Sequence, residues 1–376
     1  MADDSNAKSK YAYLAAPSPV FESLKDDATK LVENLYAIKD IENFKAAWNS
    51  FPPALFDDGP AVGKDITIEH INIPVRDGTV VELRIYKPID PAPDAPLFFV
   101  SHGGGWVMFT HDAEEAQNRQ VAKDTRCVVV SVEYRKCPEF PFPYPLNDCF
   151  DALIWCKSNA STLGINPEKV FLAGATSGAN LVVTAGGKAA SLALKARDEG
   201  VTGILGQVLN MPMICHPDFF PRDKYEYKSW DENKEEAVAS STRALFHWNL
   251  YLPEGKPEVY ANPILAESHA NLPPACKKKK KKKNRNMPAS YTPQHKKCAE
   301  NYKLTSSLVI QIAGFDPLRD EGFAYGEALK AAGVPVTEKA FAGLPHAFYF
   351  FLKALDKESR EYFQNIVNFI QEIEKK

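Results

Sequence analysis

The sequence predicts an α/β fold, a mostly parallel central sheet flanked by helices and carrying a helical cap. Three observations lead there. Short apolar runs alternate with amphipathic stretches, as strands alternate with crossover helices in a parallel sheet. Two of the runs, "APLFFVSHGGG" (95–105) and "CVVVSVEY" (127–134), are almost wholly apolar, the pattern of strands covered on both faces. The stretch "VFLAGATSGANL" (170–181) reads as a strand, a tight glycine turn and the start of a helix. A length of 376 residues, 45% hydrophobic and 25% charged, is within reach of one domain of this class.

The elements follow in order. Residues 18–50 have helical spacing, with Ser18 before Pro19 as the start signal. Strand-like runs come next at 66–75, 80–88, 95–105 and 127–134. The amphipathic segment "LNDCFDALIWCKSNA" precedes strand "VFLAG", and a helix begins near residue 177. Residues 216–258, rich in Tyr, Trp, Phe and charge, break the alternation and read as part of a cap. "LVIQIAGFDP" (308–317) is a further buried strand, followed by a helix ending at Gly333, then a strand and loop in "VTEKAFAGLPHAF". Residues 357–375 close the chain as an amphipathic helix. The expected division is cap helices over 1–60, core over 61–215, a second cap segment over 216–260, and the rest of the core over 261–376.

Charge narrows the function classes. The formal net charge is −3, from 45 basic and 48 acidic residues. Segment 276–307, "CKKKKKKKNRNMPASYTPQHKKCAENYKLTSS", holds 11 of the basic residues and one acidic residue. Taking these away leaves 34 against 47, a body of net charge −13, which argues against nucleic-acid binding. The basic segment itself has three readings: a solvated loop that touches anions, a surface insert without function, or a translated intron. For the last, Cys276-Lys277-Lys278 can be encoded TGT-AAG-AAA, containing the donor string GTAAG, and Leu304-Thr305 as CTA-ACT, containing the branch-point string CTAAC.

The seven cysteines show no CxxC pairs, so no disulfide framework or metal is expected. With a polar, acidic N-terminus and no run of about 18 apolar residues, the expectation is a cytoplasmic protein without membrane segment, cofactor or metal.

Four separated pieces fit one chemistry. "HGGGW" (102–106) follows a buried strand, and its glycines let backbone N–H groups aim at a ligand; Gly104 and Gly105 are the candidate oxyanion donors. Gly174-x-Thr176-x-Gly178 has the G-x-S-x-G outline of a nucleophile elbow, with threonine in the serine position. Ser177 N–H, at the helix start, is a third candidate donor. Ser177 is not itself the framed hydroxyl, because its neighbours two residues away are Ala175 and Ala179. Asp316 ends a buried strand, where a carboxylate can fix an imidazole's tautomer, although a plain turn aspartate reads the same way. His346 lies in a loop near the C-terminus. The order nucleophile, Asp, His is that of one known arrangement of these roles.

Together the strings "HGGGW", "VEYRKCPEFPFPYPLNDCFDALIW", "GATSGANL", "AGFDPLRDEG" and "GLPHAF", spread over residues 95–350, resemble the hormone-sensitive-lipase group of α/β-hydrolases. That group includes microbial carboxylesterases and the plant gibberellin-receptor branch. The resemblance implies Thr176, Asp316 and His346 as catalytic residues and Gly104, Gly105 and Ser177 as the oxyanion hole. It also implies a small-molecule ester or lactone substrate and pairing into homodimers through edge strands or final helices.

The departure is at the elbow, usually G-D-S-A-G in the group and here with Ala175 and Thr176. A β-branched residue at the positive φ of an elbow is strained, and its methyl crowds attack on a carbonyl. Three functions are therefore open: a hydrolase with a threonine nucleophile, a cyclase or lyase using the imidazole alone, and a ligand-binding protein without turnover. The aromatic residues Phe219, Phe220, Trp230, Phe246 and Trp248 either line a pocket for a bulky apolar substrate or serve as packing.

Overall fold

The computed structural model describes residues 8–182, 199–269 and 307–375. Among them, eight strands form one sheet: β1 (Ile66–Pro74), β2 (Val80–Pro88), β3 (Leu97–Ser101), β4 (Val128–Glu133), β5 (Val170–Ala175), β6 (Ile204–Asn210), β7 (Ser307–Phe315) and β8 (Val336–Pro345). Their order is β1-β2-β4-β3-β5-β6-β7-β8. The β1–β2 and β2–β4 pairs are antiparallel and all the others parallel, so the sheet is mixed only at one edge. The principal helices are α1 (Lys25–Tyr36), α2 (Ile41–Asn49), α3 (Glu115–Thr125), α4 (Tyr144–Ser158), α5 (Ser177–Val182), α6 (Ser241–Tyr251), α7 (Arg319–Ala331) and α8 (Asp356–Glu374).

The apolar strands are buried on both faces because alternate side chains feed two cores. Leu97, Phe99, Val130 and Leu172 face one core with Leu146, Leu153 and Leu329 of α4 and α7. Phe98, Val100, Val129 and Phe171 face the other with Val121 of α3 and Phe369 and Ile370 of α8. Complete burial of each such side chain contributes roughly 1.5–3 kcal/mol relative to exposure. The five described cysteines, 127, 137, 149, 156 and 215, are buried free thiols. Among the described residues no helix is long and apolar enough to cross a membrane.

Two elements go beyond the sequence reading. The helical stretch 18–50 divides into three helices, a division the spacing alone did not locate. A short turn at Pro19–Glu22 is capped by Ser18, and α1 and α2 are separated at Asp40, whose side chain accepts the Asn43 N–H at 2.9 Å. Strand β6 was not anticipated, since Gly206 and Gln207 interrupt its apolar run. The glycine has a packing reason: a Cβ there would come within 2.8 Å of Phe369 Cζ, so its absence seats α8 on the sheet. Of the basic segment 276–307, only Ser307 lies within the described residues, as the first residue of β7.

The N-terminal helices meet α6 above the sheet. Tyr36 packs edge-on against Phe44, Trp48 and Phe246, at ring separations of 5.3, 5.9 and 6.1 Å. Ser240 caps α6 by accepting the Arg243 N–H at 3.3 Å, satisfying one of the free backbone donors at the helix start.

Candidate active site

Four loops leave the carboxyl ends of parallel strands β3, β5, β7 and β8, where an open α/β sheet forms its natural crevice. After β5 the chain makes a sharp turn at Thr176, with φ 49°, and enters α5. The flanking glycines make this turn feasible. A Cβ on Gly174 would fall 2.3 Å from the Gly178 carbonyl oxygen, and one on Gly178 would fall 2.0 Å from that of Ser101. Thr176 N–H donates to the Asn210 carbonyl at 2.8 Å, tying the turn to β6. Thr176 lines the cleft, whereas Ser177 is wholly buried.

The threonine has a particular posture. Its Oγ1 accepts the Ser177 N–H at 2.5 Å. Its Cγ2 methyl is turned toward the glycine loop, 3.5 Å from where a Gly103 Cβ would stand. The hydroxyl is thus held by one of the three candidate oxyanion donors, and no hydrogen bond joins it to His346 in this conformation.

Asp316 and His346 are brought together. Asp316 follows β7 and is 1% exposed; its Oδ1 accepts the Leu318 N–H at 2.8 Å, fixing the carboxylate. Its Oδ2 lies 2.7 Å from His346 Nδ1, which leaves Nε2 as the ring nitrogen for the cleft. Burial alone would lower the His346 pKa, but the charge and hydrogen bond of Asp316, with a smaller contribution from Glu236, raise it above the ordinary value. Glu236 is itself buried and pushed up to about 7 by desolvation, against the opposing N–H groups of Ala239 and Val238 at 2.6 and 2.9 Å.

The glycine loop after β3 is also constrained. Gly104 has φ 116° and Gly105 φ 61°; a Cβ on the first would meet Met108 O at 2.1 Å, and on the second His247 Nδ1 at 2.3 Å. Gly103 N–H donates to Glu114 Oε1 at 3.1 Å. Burial pushes the Glu114 carboxyl up to about 8, so near neutral pH it stands largely protonated beneath the loop. Trp106 anchors the loop by stacking on Tyr251 at 4.0 Å.

Gly104, Gly105, Thr176 and His346 share one cleft of about 90 Å³, walled mainly by Tyr36, Trp48, Phe109, Met213 and Tyr349. The five cap aromatics weighed in the sequence are absent from that wall and pack elsewhere. Phe220 and Trp230 stack on Tyr227 at 4.0 and 5.7 Å, Trp248 rests on Trp106 at 4.7 Å, Phe246 on Phe44 at 5.9 Å, and Phe219 on His216 at 5.1 Å. Glu114, Glu236, Arg243 and His247 were not singled out in the sequence. His247 stands between two aromatic residues that were, and only the cap's placement shows that it reaches the glycine loop. Among the described residues no three His, Cys, Asp or Glu side chains converge as metal ligands.

Comparison with known proteins gives the same fold. A family model described as "alpha/beta hydrolase fold" matches residues 98–276 and 280–350, breaking within the lysine run. An AB hydrolase superfamily protein of Schizosaccharomyces pombe is 30% identical over 81% of this chain and 79% of its own length. A versiconal hemiacetal acetate esterase of Dothistroma septosporum is 28% identical, with 79% of each chain covered. Among solved structures, a bacterial heroin esterase is 26% identical with a TM-score of 0.70, covering 89% of this chain and 92% of that one. With the family model matching well over half of its length, this chain belongs to the α/β-hydrolase family.

Proposed function

We propose that the protein is a carboxylic ester or lactone hydrolase for small to medium substrates, with Thr176 as nucleophile. In this reading His346 takes the hydroxyl proton through Nε2, Asp316 holds the imidazole's tautomer, and the N–H groups of Gly104, Gly105 and Ser177 receive the oxyanion. Attack yields a tetrahedral adduct; collapse expels the alcohol, protonated by His346, and leaves an acyl-threonine. Water activated by the same imidazole then releases the acid. The observation that carries the reading is the 2.7 Å His346–Asp316 bond, made by residues 30 apart in sequence, over the cleft that Thr176 also lines. The esterases among its relatives point the same way.

A fluorophosphonate probe is expected to add covalently to the intact protein, seen as a mass increase, and to leave Thr176→Ala unlabelled. Labelling that persists in Thr176→Ala would remove Thr176 from the nucleophile role. One observation favours a second reading: Thr176 Oγ1 accepts the Ser177 N–H and makes no hydrogen bond to His346. A cyclase or lyase using His346 as its only base would keep its turnover in Thr176→Ala.

The charges around His346 give a pH signature. Hydrolysis needs the neutral imidazole, and Asp316 and Glu236 favour the charged one. Activity is therefore expected to fall on the acid side with a midpoint above about 6.5, the ordinary histidine value. Glu236, with its own pKa at about 7, is only partly ionised in this range, so Glu236→Gln removes a partial negative charge and moves that midpoint a little to lower pH. A kcat/KM profile of both proteins checks the sign; an upward or absent movement would show that Glu236 does not act on His346.

A further inference from the structure

We propose that Arg243 and His247 form a carboxylate-binding subsite, so that the ester this cleft accepts carries a free acid group. The inference names the substrate class of the hydrolase reading above and rests on it.

Arg243 is the first observation. It lines the cleft, and no Asp or Glu lines it with Arg243. Arg76, Arg84, Arg119, Arg126, Arg135, Arg222, Arg319 and Arg360 each have a carboxylate within 4 Å; among the described arginines Arg243 alone has none. Its guanidinium lies 5.2 Å from the Tyr36 ring centroid, and Nη1 donates to the Ala237 carbonyl at 2.6 Å. A guanidinium has five N–H donors, so most of the fork is uncommitted. A half-buried cation without a counter-charge is unfavourable, and a bidentate carboxylate is its best-matched partner.

His247 supplies the second, independent observation. It is 5% exposed, and its Nε2 lies 2.7 Å from the Tyr36 hydroxyl. Burial keeps that phenol protonated and pushes the imidazole down to about 4. The Gly105 backbone offsets part of the imidazole's shift and the charge of His346 adds to it. In the tautomer in which the phenol donates to Nε2, the ring proton stands on Nδ1. That nitrogen is buried against Gly105, near its backbone but without an aligned hydrogen bond, in a residue that lines the cleft.

The two residues are four apart on α6 and so stand on one helical face, one turn from each other. One cation and one neutral donor match a monoanion with two acceptor oxygens. A phosphate dianion would leave charge uncompensated, and an uncharged ester would leave the arginine unpaired.

The test uses full-length Thr176→Ala, so that binding is read without turnover. Calorimetry compares monoethyl glutarate with diethyl glutarate. The half-ester is expected to bind about 10- to 100-fold more tightly, as one charge-assisted pair provides. Arg243→Gln in that background is expected to bring the half-ester down to the level of the diester, with Arg243→Lys between them. Should Arg243→Gln not fold, His247→Phe, which leaves the arginine in place, is expected to weaken the half-ester about tenfold for loss of one hydrogen bond. Equal binding of the two esters, or a preference that survives Arg243→Gln, would overturn the subsite. The hydrolase reading is judged separately, by probe labelling of the Thr176 protein.

Discussion

Thr176→Ser is expected to raise kcat for p-nitrophenyl ester hydrolysis on the order of 10²-fold, the effect of relieving a misplacement near 1 Å at a reacting atom. The reason lies in the elbow. At φ 49° a β-branched side chain is strained by roughly 1–3 kcal/mol, and the strain is kept because the turn is packed so tightly that a Cβ at either flanking glycine would collide with backbone, while the Thr176 N–H is tied to the Asn210 carbonyl. The threonine methyl lies against the glycine loop, 3.5 Å from where a Gly103 Cβ would stand. Its hydroxyl meanwhile occupies the Ser177 N–H. Rotation that frees the hydroxyl has to carry the methyl elsewhere in the same crowded turn. Serine has no methyl and rotates freely, so both the donor and the nucleophile become available. Steady-state rates on a series of esters of rising chain length check this. An unchanged or lower rate would place the limit on hydrolysis elsewhere, in the cap or in the missing Asp at position 175.

His346→Ala is expected to lower kcat on the order of 10²–10⁴-fold, the usual contribution of a positioned general base. KM should change little, because the imidazole acts on protons more than on binding. The companion Asp316→Asn keeps the hydrogen-bonding shape but removes the charge that favours the imidazolium, and should move activity in the same direction. The double variant should lose little more than the worse single one, since the two residues work as a unit. Additive losses would mean that they act separately. Both variants should remain folded, as His346 and Asp316 stand at loop ends after β8 and β7 and neither belongs to the apolar clusters that carry the fold.

Much of the fold was legible because the strands' apolar runs are governed by burial on two faces, a local signal. Strand β6 was not, because the reason for Gly206 is a ring of α8 more than 160 residues further on. Thr176, Asp316, His346 and the glycine loop were singled out as candidates through their strand-end contexts. The proximity of Asp316 to His346 is a property of neighbouring strands β7 and β8 and only their pairing makes it visible. Glu236 and His247 carried no signal, since a lone acid or imidazole in an aromatic-rich segment has the same spelling whether it faces solvent, core or cleft. The posture of Thr176 is likewise a rotamer, which residue types do not specify.

The polarity of the parallel strands has a consequence for where the chain ahead of β7 enters the sheet. Strand β7 begins at Ser307 and delivers Asp316 nine residues later, about 30 Å away at 3.3 Å per residue. Chain ahead of Ser307 joins the sheet at the rim opposite Asp316. The spacing between β7 and β8, which sets carboxylate against imidazole, is written entirely downstream of that junction. The junction at Ser307 and the Asp316 carboxylate therefore stand a full strand apart.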